Sequence, residues 1–226
     1  MPRKRNYDTI ARVLDASWDL FGEKGYTDTS YADLARVSGV NRATVQHYFP
    51  KKELIASMNM ELFRSACAEL VNERYPEAKE PIARQYLVGQ IYVAGLLSTK
   101  QTRRFAHDVL ESRAFTDATI ATDLDWSVSE VLGQNTSANV ELRQDVIAAM
   151  GGLYGLMYHT TLTGEGFNLS ERIRPGLRSL GALAGYTHEE CDRIFDRYVL
   201  TRNELDSLVD AAIERARELV FEHPFE

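Results

Sequence analysis

A chain of 226 residues, 44% hydrophobic and 26% charged, has an ordinary globular composition and enough material for one large or two modest domains. Its formal charge of −7 excludes an evenly basic surface, yet residues 1–52 hold nine Lys and Arg against six Asp and Glu, a net of +3, while the rest holds 17 against 27. A mildly basic head on an acidic body confines contact with a polyanion to one end.

The only cysteines, Cys67 and Cys191, are expected to stay reduced thiols, although a bridge between them is open in principle. Met-Pro-Arg-Lys-Arg-Asn carries charge with no apolar run behind it, which predicts a cytoplasmic rather than a secreted protein. Val146 to Gly164 has nineteen residues without Asp, Glu, Lys or Arg, close to a spanning length. Its four glycines, three threonines and His159 point instead to a buried helix of a soluble fold, and no membrane partner is expected.

Helical periodicity runs through the chain and no strand is expected. Ile10, Val13, Leu14, Ser17, Trp18 and Phe21 fall on one face of a first helix, with Asn6 as its cap and Gly22 and Gly25 near its end. Ser30 with Asp33 opens a short second helix that Gly39 ends. Asn41 caps a third, reaching about Tyr48, and Pro50 closes the unit. A long helix is expected from near Lys51 to Tyr75, before Pro76, and another after Pro81. Further helices are expected over Gln101–Arg113, Asp117–Leu132, Ala138–Leu162 and Ser179–Ala184, with Pro175 at or before the start of the last. Thr187 with Glu190 and Thr201 with Glu204 are capping-box patterns, compatible with two C-terminal helices or one long one.

The informative segment is Thr29 to Lys52. Ala35, Gly39 and Val45 have the spacing of two short helices joined by a tight turn: a small residue at the crossing, a glycine for positive φ, and an apolar anchor. Leu34 and Val40 seal the same small core. Asn41, Arg42, Ala43, Thr44, Gln46 and His47 then face outward, and a helix led by short polar and basic side chains suits the major groove of double-stranded DNA.

Gly25-Tyr26, Thr29-Ser30, Asp33-Leu34-Ala35, Gly39-Val40, Thr44-Val45, Tyr48-Phe49-Pro50 and Lys52 together resemble, without a gap, the DNA-binding domain of the TetR (tetracycline-repressor-like) family. The resemblance covers about the first 55 residues. It implies an all-α fold, with a three-helix helix-turn-helix domain over residues 1–52 and a larger helical effector-binding and dimerisation domain over 53–226. It also implies a homodimer, which would bind a pseudo-palindromic operator as a regulator. Gln46 stands where the family commonly has Tyr, and Tyr48 where it commonly has His; either can still donate to phosphate, and Gln46 can also read adenine.

Arg42 and Thr44 are therefore expected at DNA, with Ser30 both capping and donating to phosphate. Lys52, unfavourable at a helix start, is expected near a phosphate, and Tyr48 likewise. Arg3, Lys4 and Arg5 form a basic arm, either disordered or laid on the backbone or minor groove. In the uncharged stretch, Gly151, Tyr154, Gly155 and Tyr158 share one helical face and Met150, Leu153 and Met157 another, which predicts burial on both, one against a partner subunit.

A small, partly hydrophobic effector is expected in the body. Phe63, Cys67, Tyr86, Tyr92 and Phe105 are candidate pocket walls, as are His107, Trp126, Tyr154, Tyr158 and His159, though aromatic residues at helical spacing are commonly plain core. No cofactor or metal is expected. The competing class is a helical-bundle enzyme or metal-binding protein carrying a helix-turn-helix-like segment. It lacks support from Glu-x-x-His pairs, H-E-x-x-H, a P-loop or Gly-x-Ser-x-Gly, and His188-Glu189-Glu190-Cys191 coincides with the capping pattern at Thr187. An architectural module is disfavoured by the size of the body.

Overall fold

The first amphipathic stripe forms α1 (Tyr7–Glu23), which buries Ile10, Val13, Leu14, Ser17 and Phe21. In the computed structural model, which describes residues 7–112, 140–163 and 169–222, nine more helices follow, and no strand occurs among the described residues. They are α2 (Tyr31–Ser38), α3 (Arg42–Tyr48), α4 (Lys52–Arg74), α5 (Pro81–Leu97), α6 (Lys100–Glu111), α7 (Val140–Thr163), α8 (Leu169–Leu183), α9 (His188–Arg197) and α10 (Arg202–Glu222). The expected cap Asn6, the basic arm, the helix over Asp117–Leu132 and Trp126 lie outside the described residues.

In the body α4 is a central strut. It packs along α10 and α5, and α5 in turn packs against α8. Ile82, Tyr86, Leu87 and Ile91 of α5 are inaccessible to solvent, as is Cys67 of α4. Both cysteines are buried free thiols. α1 touches α2 and α3 on one side and α4, α6 and α10 on the other, so it belongs to the head and is also seated on the body.

Three sequence expectations are corrected or decided. Pro175 lies inside α8 rather than at its start. A proline removes one N–H and crowds the carbonyl four residues back, but Pro175 is exposed, so solvent can satisfy what is freed and the helix continues. α7 is buried along one face only, at Val146, Met150, Tyr154, Met157 and Thr160. Tyr154 therefore belongs to the inner face rather than sharing the glycines' face. Ile147, Gly152, Gly155, Leu156 and Leu162 stand open on the other side, where a Cβ on Gly151, Gly152 or Gly155 would meet nothing within 4 Å.

The C-terminal segment is two helices. The buried Gln90 amide donates to the Tyr198 carbonyl (2.9 Å) and accepts from the Leu200 N–H (3.0 Å) and the Ser170 hydroxyl (2.7 Å). One side chain more than 100 residues away in sequence thus satisfies the backbone of the break, which is why the local pattern left it open. Thr187 and Thr201 each act as caps, donating to Glu190 and Glu204.

Candidate nucleic-acid interface

The turn between α2 and α3 is fixed by polar contacts that the residue types dictate. The Ser30 hydroxyl accepts from the Asp33 N–H, and Ser30 donates back to the Asp33 carboxylate, a reciprocal box that satisfies two free ends of α2. Lys24 donates to the same carboxylate at 2.7 Å. This bond first, then those from Ser30, hold the Asp33 pKa well below the usual carboxylate range. Gly39 caps α2 with φ +65°, a conformation that costs any residue with a Cβ. The Arg12 guanidinium of α1 donates to the Ser38 carbonyl (3.1 Å), tying the end of α2 to the first helix. Asn41 Oδ1 accepts from the Ala43 N–H at 2.8 Å and starts α3.

Beneath the turn, Leu34 and Val45 are completely buried and Val40 nearly so. That core sets the rotation of α3. Arg42, Ala43, Gln46 and His47 are exposed, as is Asn41, while Thr44 and Tyr48 are half-buried at the edge of the same face. The exposed Ser30 opens the neighbouring helix. The structure thus places seven of the nine expected DNA-facing residues along α3 and its cap, and Ser30 at the start of α2.

Lys52 is engaged differently from expectation. Its ammonium donates to the carbonyls of Tyr26 (2.7 Å), Thr27 (3.2 Å) and Thr29 (2.9 Å) and sits 4.4 Å from the centre of the Tyr26 ring. Burial pushes its pKa below the ordinary lysine value, against the opposing pull of Glu53, Asp108 and Asp28. All three N–H donors are committed to the α1–α2 connector. The unfavourable charge at the start of α4 is thereby explained within the chain, and the phosphate expectation is corrected to a structural anchor. The sequence also gave no sign that the Tyr31 hydroxyl donates to the Phe49 carbonyl (2.8 Å), closing α3 onto α2.

Residues 13–57 match the family model for bacterial regulatory proteins of the tetR family. Over those residues the chain is similar to the tetR family. The match covers α2 and α3 whole, with most of α1 and the first turn of α4. The chain is also similar to the HTH-type transcriptional regulator AcrR of Shigella flexneri, 27% identical over 106 residues, or 46% of this chain. The alignment spans about half (48%) of that relative's length. No solved structure matches the chain significantly.

Among the described residues, the expected effector residues are not gathered into one site. Phe63 and Phe105 line a cavity of about 220 Å³ where the head meets the body. Tyr92 and Tyr154 border a smaller hollow of about 40 Å³ between α5, α7 and α8. Tyr86 is fully buried and stacked on Phe195 with centroids 4.4 Å apart. Cys67 is fully buried, and burial raises its thiol pKa far above the ordinary value, which makes it inert packing. His107 and Tyr158 are half-buried, with ring centroids 5.5 Å apart. His159 is exposed on α7. The cavity walls that sequence reasoning missed, including Trp18, Asn59 and Arg217, come from helices far apart in the chain, and no spacing could have joined them.

No helix among the described residues is long and apolar enough to cross a membrane. No three His, Cys, Asp or Glu side chains among the described residues come together to hold a metal. At His188–Cys191, Glu190 is bound to Thr187 and Cys191 is buried against Gly181, so the two do not present a shared site.

Proposed function

We propose that this chain is a cytoplasmic transcriptional repressor that binds a pseudo-palindromic duplex as a homodimer and is released by a small, partly hydrophobic effector. The observation that carries the DNA reading is the outward face of α3, held by the Leu34–Val40–Val45 core and led by Arg42, Ala43, Thr44, Gln46 and His47. Arg42 and Gln46 carry the side chains able to read base edges. Thr44, Tyr48 and Ser30 carry hydroxyls suited to phosphate, and Asn41 lies at the N-terminal end of α3, where the helix dipole favours phosphate.

The head occupies residues 1–52, and the body, 53–226, carries the dimer face and most of the effector site. Support for the dimer comes from the outer face of α7, where Ile147, Leu156 and Leu162 flank three glycines with open space above them. Small residues let a partner helix approach closely, and a lone short helix-turn-helix reads too few base pairs for useful specificity. α4 runs without interruption from the head to the centre of the body, so it is the lever by which one end informs the other.

Selection of bound DNA from a random duplex pool tests the reading. The account expects one enriched motif with two inverted half-sites spaced by about 10 bp or a multiple of it. Failure to enrich any sequence would exclude a sequence-specific regulator.

A further inference from the structure

The 220 Å³ cavity lies between α1 and the body, and its walls have a consistent chemistry. Trp18 and Phe21 of α1 face Phe63 of α4 and Phe105 of α6: Trp18 meets Phe63 edge-on at 6.3 Å, and Phe21 stacks on Phe105 at 5.7 Å. An apolar cavity of about 150 Å³ accepts benzene, so this one admits a fused two-ring aromatic.

The wall is largely apolar, and besides Thr102 and Arg217 it includes two polar groups that are buried without a partner among the described residues. Asn59 is 2% exposed, and its Nδ2 donates to Ser17 Oγ at 2.6 Å. Ser17 spends its own proton on the Leu14 carbonyl (2.6 Å), so only the amide nitrogen can face it and the orientation of Asn59 is settled. Asn59 Oδ1 is left buried with no donor among the described residues. Trp18 Nε1 is likewise a buried donor with no acceptor among the described residues. A buried acceptor left unsatisfied is destabilising, and a hydroxyl brought to Asn59 Oδ1 can donate to it.

The position of the cavity matters as much as its chemistry. Trp18, Phe21 and Gly22 belong to α1, whose other side holds α2 and α3, while the remaining walls belong to the body. The head is clasped to the body around it. Arg217 of α10 pairs with Asp15 and Asp19 of α1, Arg104 pairs with Asp28, and Asp108 accepts from the Thr27 N–H. An occupant that spreads the aromatic walls moves α1, and with it the DNA-reading pair.

We propose that this head–body cavity is the effector site, taking a fused-ring aromatic molecule whose hydroxyl donates to Asn59 Oδ1. The inference deepens the repressor reading and rests on it only for the link to DNA.

The test uses 2-naphthol as probe, in a Trp126→Phe background so that Trp18 is the only indole. Saturable quenching of Trp18 is expected, and 2-methylnaphthalene, which has no hydroxyl, should bind about tenfold more weakly. A Cβ on Gly22 would meet nothing within 4 Å, so Gly22→Leu should fill the space and abolish binding while selected DNA is still bound. Gly22→Ala, the milder change, should bind the probe with intermediate affinity. In the parent, 2-naphthol should weaken DNA binding by the same factor by which DNA weakens 2-naphthol binding.

Absence of saturable binding, or equal affinity in the parent and Gly22→Leu, would overturn the site. Binding that leaves DNA affinity unchanged would overturn its role as the effector site. If no DNA is selected at all, the repressor reading fails, and the quenching and Gly22 results still decide whether the site exists.

Discussion

The α2–α3 pair and the helix α7 are both short of bulky core, yet one is specified by polar detail and the other by its lack. In the head every bend has a named cause: a reciprocal Ser30–Asp33 box, a left-handed Gly39, an Asn41 cap and a tyrosine hydroxyl on the Phe49 carbonyl. Along α7 there are small and apolar side chains on two sides, and only one side is filled within the chain. The head therefore declares a geometry by itself, whereas the outer face of α7 acquires meaning only when something covers it. Position-specific polar residues carry more information about function than apolar ones, because fewer alternatives satisfy them.

The sharpest way to break this contrast is to add bulk to α7. Gly155→Arg has open space within the chain, so the monomer fold should persist, while a covering partner would be expelled. Sedimentation should show the variant as a monomer with unchanged helicity, and a variant of unchanged mass would mean that this face is not the interface.

Next in size is Leu34→Ala in the head. Leu34 is fully buried, and its truncation should cost about 2–5 kcal/mol, lost from the head alone. Hydrogen exchange should speed up at α2 and α3 amides and not at α5, and DNA binding should fail. Uniform acceleration throughout would show that head and body unfold as one unit.

Arg42→Ala and Gln46→Ala should each relax preference at particular positions by about 1–3 kcal/mol if they read bases. Thr44→Ala and Tyr48→Phe should weaken all sequences alike. Binding profiles across a panel of mutated operators separate the two. Asn41→Ala, which removes the α3 cap, should cost about 1 kcal/mol of stability in equilibrium denaturation.

The smallest effect expected is a pH dependence. Because Lys24 and Ser30 hold Asp33 below its ordinary pKa of 3.8, its contribution is complete above that value and is lost as pH falls toward the folded-state value. Acid titration of the head should therefore show a decline in stability below pH ~4 that Asp33→Asn flattens. An identical acid limb in the variant would remove Asp33 from the account.

Much of the head was legible because its signals are local. A cap and its box partner lie three residues apart, and the turn glycine and apolar anchor lie within one segment. Lys52 was misread because its three carbonyl partners are 23 to 26 residues away and become visible only once α1 and α4 are side by side. The Gln90 contacts that divide α9 from α10 are longer-range still. Pro175 misled because helix rules treat proline as punctuation, while an exposed proline in a packed helix is tolerated. Of the cavity only Phe63 and Phe105 were named as walls, for a related reason: five helices contribute to it, and no spacing along the chain joins them.

The central claim is that two copies of the α3 face read one duplex. Sedimentation of the full chain with a duplex of the selected motif tests it most directly, since mass gives the stoichiometry. The account predicts two chains per duplex, with a complex that is lost when one half-site is scrambled. A single chain bound to an asymmetric site, indifferent to the second half, would contradict it.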